Sequence, residues 1–336
     1  MCTRSLYTGD DNIVVTGRNM DWKEDMSSNL WLFPAGMTRD SAAGKHSFSW
    51  TSKYGSVITS GYNASTTDGL NEAGLVANIL FLAESDYGQP DGQGPVMSNA
   101  VWTQYVLDNF ATVAEAVAAL RKETFQIQGP TLPNGSPSTL HLAISDASGD
   151  SAIFEYLNGQ LSIHHSRDYT VMTNSPPYAQ QLAINAYWEN IGGGKFLPGT
   201  ISAADRFART QYFINSIPRT IDSKLIKSVP GQSFKNQAVA SVMSVQRAVS
   251  VPIGISSPDQ PNLSSTLWRT ASDHKNRVYY FDAANRPSTF WVSLKEADLT
   301  PGQPVRKLTI ENGEIFAGNA TDQFQPAEPF EFLPVA

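Results

Sequence analysis

Short apolar runs set off by turn residues recur along the chain, and helical periodicity takes over in four stretches. Ser5-Leu6-Tyr7 and Ile13-Val14-Val15 are strand-like. Thr8-Gly9-Asp10-Asp11-Asn12 between them are largely turn formers, which predicts a hairpin. With the turn centred near residue 10, opposed positions sum to about 20, so Cys2 lies across from Arg18, and Asp21 follows just past the strand end. Strands are expected over 30–34, ending at Pro34, and over 55–60, with a polar, turn-rich 38–48 between them. Residues 66–75 hold two turn signals, Asp68-Gly69 and Ala73-Gly74, and feed an apolar strand over 75–82.

Ser98 can cap a helix over 99–110, and a second is expected over 113–125. The loop 87–94 places Tyr87 just after a core strand, as a candidate pocket wall; 128–137, with Pro130 and Pro133, reads as a rim or lid. Strands over 140–144, 152–156, 160–163 and 169–172, with an Asn158-Gly159 turn, predict a second antiparallel meander. Pro176 stops it and leaves Asn174 at its end. Ser202 and Asp205 form a capping box before a helix whose stripe is Ala203, Phe207, Thr210, Ile214 and Ile217. A further helix is expected over 236–245. The pattern then returns to β over 267–270, 277–281 and 289–292, and the Pro-rich 322–334 is expected to wrap the surface. The order β, α, β, α, β with antiparallel signals throughout predicts an α+β fold, two antiparallel sheets sandwiched between helical layers.

Composition narrows the function. The chain has 336 residues, 41% hydrophobic and 16% charged, with a formal net charge of −7. That balance and the lack of a basic stripe argue against nucleic-acid binding. One cysteine excludes an intrachain disulfide and a multi-Cys zinc site. His164-His165 is a tempting metal pair, but neighbours on a strand face opposite sides, so we expect no metal. The apolar run 75–83 contains Asn78 and is too short to span a bilayer. As given, the chain reads as cytoplasmic, or as periplasmic if a secretory leader once stood in place of Met1.

The single cysteine, Cys2, is where chemistry concentrates. A Cys at position 2 is in most proteins incidental. If Met1 is removed, however, one residue carries a thiol and a free α-amine, with ordinary pKa values of about 8.5 and about 7.7–8. The amine is then a usable base beside a strong nucleophile. A guanidinium across the hairpin, Arg18, would favour the thiolate, and the Asp21 carboxylate would orient the ammonium formed when the amine takes the thiol proton. The plainer reading of Arg18 and Asp21 is a surface ion pair, worth little. On its own, Asn174 reads as a turn residue bonding its own backbone.

Five segments change that balance. They are Met1-Cys2-Thr3, Gly17-Arg18-Asn19-Met20-Asp21-Trp22, Asn71-Glu72-Ala73-Gly74-Leu75, Met172-Thr173-Asn174-Ser175-Pro176, and Leu197-Pro198-Gly199-Thr200 through Asp205-Arg206-Phe207. In this order and spacing the chain resembles the choloylglycine hydrolase family, which includes conjugated bile salt hydrolases and penicillin V acylases, within the N-terminal nucleophile hydrolases. The resemblance implies a four-layer αββα sandwich. It implies Cys2 as nucleophile, Arg18 and Asp21 beside it, Asn174 as oxyanion donor and Arg206 in the charge network. One departure stands out. Bile salt hydrolases carry an oxyanion Asn shortly after the NExGL segment, where this chain has Phe81, so only the Phe81 backbone N–H could serve. That resembles the Gram-negative penicillin V acylase branch. Asn78, at an odd offset along the strand, faces the other way.

The resulting expectation is one domain over 2–336 that hydrolyses a non-peptide linear carboxamide through Cys2, without metal or organic cofactor. Met20, Trp22 and Tyr87 would line an apolar acyl pocket. Penicillin V and N-acyl-homoserine lactones lead as substrates. The alternatives are a conjugated bile salt hydrolase, or a non-catalytic binding relative with the same fold. No nucleic-acid partner or stable membrane association is expected, and the resemblance implies a homotetramer.

Overall fold

The computed structural model describes residues 2–90, 92–192, 195–255 and 263–335. Its frame is two antiparallel sheets laid face to face. The chain starts with β1 (Cys2–Gly9) and β2 (Ile13–Trp22), then β3 (Leu30–Phe33), the small hairpin β4 (Thr38–Asp40) and β5 (Ser49–Thr51), and the meander β6 (Ser56–Gly61), β7 (Ser65–Asn71) and β8 (Val76–Phe81). β9 (Val96–Ser98) leads into α1 (Asn99–Asn109) and α2 (Val113–Leu120), and β10 (Gln126–Gln128) pairs back onto β9. β11 (Leu140–Ser145), β12 (Ser151–Leu157), β13 (Gln160–His165) and β14 (Val171–Met172) precede α3 (Tyr178–Asn190), α4 (Ala203–Ser216) and α5 (Phe234–Ala248). The rest is β15 (Ser265–Asp273), β16 (Val278–Ala283), β17 (Thr289–Ser293), β18 (Arg306–Leu308), β19 (Gly318–Asn319) and β20 (Gln325–Pro326).

The first sheet runs β14-β1-β2-β15-β16-β17-β19, and the second β13-β12-β11-β8-β7-β6-β3-β18-β20. One apolar core lies between the sheets and under α4 and α5. The other lies between the second sheet and α1 and α2. This is the expected αββα sandwich. Among the described residues no helix is long and apolar enough to cross a membrane.

Several local expectations need correction. The first hairpin turns through Asp10–Asn12, with Asp11 and Asn12 at positive φ, a region Asp and Asn tolerate. Its centre is therefore one residue later than expected. Cys2 pairs with Met20, and Arg18 with Arg4. A slip of two keeps every side chain on its face, so Cys2 and Arg18 stay neighbours. Asp68-Gly69 is not a turn but the middle of β7. A Cβ on Gly69 would lie 2.6 Å from Leu107 of α1, so this glycine lets the helix seat on the sheet. The fourth strand of the predicted second meander, β14, leaves it and pairs with β1 of the other sheet. The second helix stops at Leu120, well short of residue 125. α3 went unforeseen: its buried positions, Tyr178, Gln181 and Asn185, are mostly polar and make no apolar stripe.

Candidate active site

Five elements converge on Cys2. β1 carries Cys2, β2 carries Arg18, Met20 and Asp21, the segment after β14 carries Asn174, α4 carries Arg206 and β8 carries Phe81. Met1 lies outside the described residues. The Cys2 thiol is buried at 3% exposure and points between the sheets. Its neighbours are Arg18 Nη2 at 3.5 Å and Met20 Sδ at 3.8 Å. Arg18 Nη2 also donates to the Ile79 carbonyl at 3.0 Å, and its guanidinium lies over the Trp268 ring at 4.6 Å.

Arg18 is itself held. Asp68 Oδ2 lies 3.7 Å from Arg18 Nη1, both side chains fully buried. Tyr279 Oη and Asn78 Nδ2 donate to the same carboxylate at 2.6 and 2.7 Å. Burial pushes the Asp68 carboxyl up, against the opposing pull of Arg18 and of these hydrogen bonds. The Asp-Gly turn signal hid this residue, although a carboxylate in a buried strand facing an arginine is a recognisable pattern. Asn78 faces the inter-sheet space, as its offset from Phe81 implied.

On the helix side of the first sheet, Arg206 is fully buried and binds four groups. Its guanidinium donates to Cys2 O and Thr3 Oγ1, each at 2.5 Å, to Asn174 Oδ1 at 2.8 Å and to the Ile201 carbonyl at 3.0 Å. Asp21 Oδ2 lies 3.7 Å from it, and Thr266 Oγ1 donates to Asp21 Oδ1 at 2.6 Å. The Cys2 backbone nitrogen donates to Asn174 Oδ1 at 2.6 Å. As a peptide N–H, that nitrogen meets the amide oxygen of Asn174, and Asp21 lies beside Arg206 on the same side of the sheet.

Asn174 Nδ2 donates to the Phe81 carbonyl at 2.6 Å, leaving its second N–H. Behind Asn174, the Thr173 carbonyl lies 3.0 Å from His141 Nε2, and His141 Nδ1 lies 2.9 Å from Glu155 Oε1. Burial alone would raise the Glu155 carboxyl. His141, His164 and the Tyr178 N–H outweigh it and hold the pKa at about 2.

The cavity follows from a break in the second sheet. β7 and β6 pair as Thr59–Asp68 and Ser60–Thr66, so Thr67 is an extra residue, a bulge that bends β7. The β7–β8 pairing runs only from Leu70–Val76 to Asp68–Asn78, although β8 continues to Phe81 and β7 begins at Ser65. Beyond that point the strands diverge and leave a slot. Leu82 N donates to Thr139 O at 3.0 Å. Alternation then turns the N–H and C=O of Phe81 away from β11 and toward the slot.

An apolar cavity occupies this region. Cys2, Arg18 and Met20 line it from the inter-sheet side. Trp22, Ile79, Phe81 and Ser65–Thr67 flank it, and Ala100, Leu132 and Leu333 close it on the α1 side. Trp22 packs at 6.1 Å from Phe81, and its Nε1 donates to Tyr62 Oη at 2.7 Å. Met20 and Trp22 thus line the cavity, and Leu132 and Pro133 bring in the 128–137 loop. Tyr87 does not line it. Its hydroxyl lies 2.9–3.0 Å from Leu140 and Asn99, and its ring packs on Tyr156. It braces the wall from behind, because Leu140 and Asn99, which its hydroxyl bonds, themselves line the cavity.

Comparison with known proteins agrees with this geometry. A family model described as "Linear amide C-N hydrolases, choloylglycine hydrolase family" matches residues 2–311. A penicillin V acylase of Pectobacterium atrosepticum is 48% identical over 98% of this chain and 92% of its own length. The solved structure of a penicillin V acylase from Agrobacterium tumefaciens is 51% identical, covers 99% of this chain and 100% of its own, and superposes with a TM-score of 0.90. A conjugated bile acid hydrolase structure from Clostridium perfringens, 19% identical over 95% of this chain and 98% of its own with a TM-score of 0.73, shares the fold.

Proposed function

The chain belongs to the choloylglycine hydrolase family and is an amidohydrolase of linear carboxamides; from that premise we propose that it acts as a penicillin V acylase, removing an apolar or aromatic acyl group from a small amide. The observation that carries this is the placement of the Cys2 thiol beside Arg18 at the inner end of an apolar cavity. Phe81 at the usual oxyanion-Asn position and the 48–51% identities to penicillin V acylases support that branch. A slot between two strands is narrow in one direction. It suits an extended chain or a single flat ring better than fused rings, which places penicillin V and N-acyl-homoserine lactones ahead of bile salts.

In this reading the α-amine of Cys2, freed of anything before it, takes the thiol proton. Sγ attacks the amide carbon. The second N–H of Asn174 and the N–H of Phe81 hold the oxyanion, each donor contributing about 3–4 kcal/mol. Collapse breaks the C–N bond, and the ammonium gives its proton to the departing amine. Water, deprotonated by the same amine, then attacks the thioester and releases the acid and the thiol. Arg18 holds the thiolate, while Arg206 and Asp21 fix the Cys2 backbone and Asn174. The scheme uses no metal or organic cofactor. Because both sheets build the one site, we read 2–336 as one domain. Exposed Tyr187, Ile191, Phe196 and Tyr212 on and around α3 and α4 offer apolar surface for contacts between copies, in keeping with a homotetramer.

Intact mass and amine release with penicillin V, a long-chain N-acyl-homoserine lactone and glycocholate test the reading. We expect an N-terminus at Cys2, release from penicillin V, and near-total loss in Cys2→Ser with an unchanged melt. Release from glycocholate alone would move the protein to the bile salt branch. A fully active Cys2→Ser variant would remove Cys2 as nucleophile.

A further inference from the structure

The outer end of the cavity is closed by a segment remote in sequence from every residue of the chemistry. After β20 the chain runs back over β3. Phe330 packs edge-on to Trp31 at 5.3 Å, and Phe332 packs on Phe330 at 5.0 Å. Leu333 then enters the cavity wall. Both its backbone groups are tied: its N–H donates to the Ala64 carbonyl at 2.8 Å, and its carbonyl accepts from Ser98 Oγ at 2.7 Å. Ser98 is the cap of α1, accepting from Ala100 N, and Ala100 is the facing wall residue. Val335 N donates to the Ala42 carbonyl at 2.9 Å, anchoring the far side.

The backbone of Leu333 is thus fixed at the turn before β7 and at the first turn of α1, on either side of the slot's outer mouth. The thiol lies at the other end. A linear acyl group whose carbonyl carbon meets Cys2 must extend along the cavity, past Phe81 and Trp22, toward this wall.

We propose that Leu333 is a specificity-determining residue, the end stop that sets how long an acyl chain the site accepts. The proposal rests on the amide-hydrolase reading above. Leu333 makes no contact with the reacting atoms; it acts through the length of the cavity. Shortening it deepens the compartment by part of a side chain, and enlarging it fills the space the last methylenes need. One methylene in a hydrophobic pocket alters selectivity by about tenfold or more.

The test is a series of straight-chain N-acyl-homoserine lactones, short to long, assayed on the full chain and on Leu333→Ala and Leu333→Trp. In Leu333→Trp the ratio of kcat/KM for the longest to that for the shortest chain should fall by about tenfold, and in Leu333→Ala it should rise. An equal change at all lengths in both variants would make Leu333 merely structural and overturn the proposal. If Leu333→Trp does not fold, the direction of the Leu333→Ala shift still decides. Binding of the same series to Cys2→Ser protein, followed by calorimetry with and without Leu333→Ala, reads the wall without turnover. A wild-type protein that hydrolyses neither the series nor penicillin V but shows the length shift in binding would sink the acylase reading and keep the end stop. The converse, turnover with no length shift, would do the reverse.

Discussion

At its inner end the cavity is bounded by Cys2 and Arg18, with Asn174 beside Cys2, and each of the three is held by several polar partners on different elements. At its outer end it is bounded by Leu132, Ala100 and Leu333, whose side chains only fill space. The inner end is over-determined. Arg206 alone ties Cys2, Thr3, Asn174 and the start of α4 together. At the outer end the backbone is tied while the side chains remain free to differ without breaking a hydrogen bond. On the proposed reading, one cavity keeps its reaction at one end and changes its substrate at the other.

The inner end should be the more fragile, and Asn174→Ala is the strongest probe. In the proposed mechanism it removes one oxyanion donor as well as the acceptor of the Cys2 nitrogen, so kcat should fall by about 100- to 1,000-fold with KM little changed. Steady-state kinetics on penicillin V check this. A loss confined to KM would show that Asn174 only shapes the cavity.

Asp68→Asn reaches the same end one step back. It leaves the guanidinium of Arg18 without its buried carboxylate, loosening the group that favours the thiolate. Turnover near neutral pH should drop about tenfold, because the guanidinium beside the thiol loses the carboxylate that holds it in place. The rate of Cys2 alkylation at neutral pH, compared across the two proteins, should change with it. An unchanged alkylation rate would confine Asp68 to stability, where breaking a buried pair costs about 3–5 kcal/mol in any case.

The same contrast explains what was legible in the sequence. Cys2, Arg18 and Asp21 lie within one hairpin, and alternation along paired strands fixes their faces even with the register two residues out. Asn174 precedes a Pro at a strand end, and Arg206 follows a capping box, so each sits at a marked boundary. The outer compartment joins residues near 22, 65, 81, 100, 132 and 333, and no local periodicity links them. Tyr87 was misplaced for that reason: its loop passes near the site, but which face its ring takes depends on Leu140 and Asn99, distant in the chain. Asp68 was misread because Asp-Gly signals a turn locally, whereas here the glycine answers to the close approach of Leu107.

The smallest effect on turnover should come from a residue that ties the two sheets together away from both ends. His274 is fully buried. Its Nδ1 lies 2.7 Å from the Gly74 carbonyl and its Nε2 2.7 Å from Thr16 Oγ1. A carbonyl only accepts, so Nδ1 carries the proton and Nε2 can accept from Thr16. Burial lowers its pKa from 6.5 to about 4, against the raising effect of the Gly74 carbonyl and Asp146. The unfolded chain therefore binds this proton more readily, so the folded state loses stability as pH falls from about 6.5 to about 4. The full loss is on the order of 3 kcal/mol. Glu155, held at about 2, adds its own loss only lower, as pH falls below the ordinary carboxylate range. Thermal melts across this range should show His274→Asn with a flatter acid limb above pH 4 than the wild type, and with turnover at neutral pH nearly unchanged. Equal limbs in the two proteins would mean that acid sensitivity arises elsewhere. A variant stable in acid but inactive at neutral pH would mean that the clamp between the sheets also positions the catalytic end, and the separation drawn between the two ends of the cavity would fail.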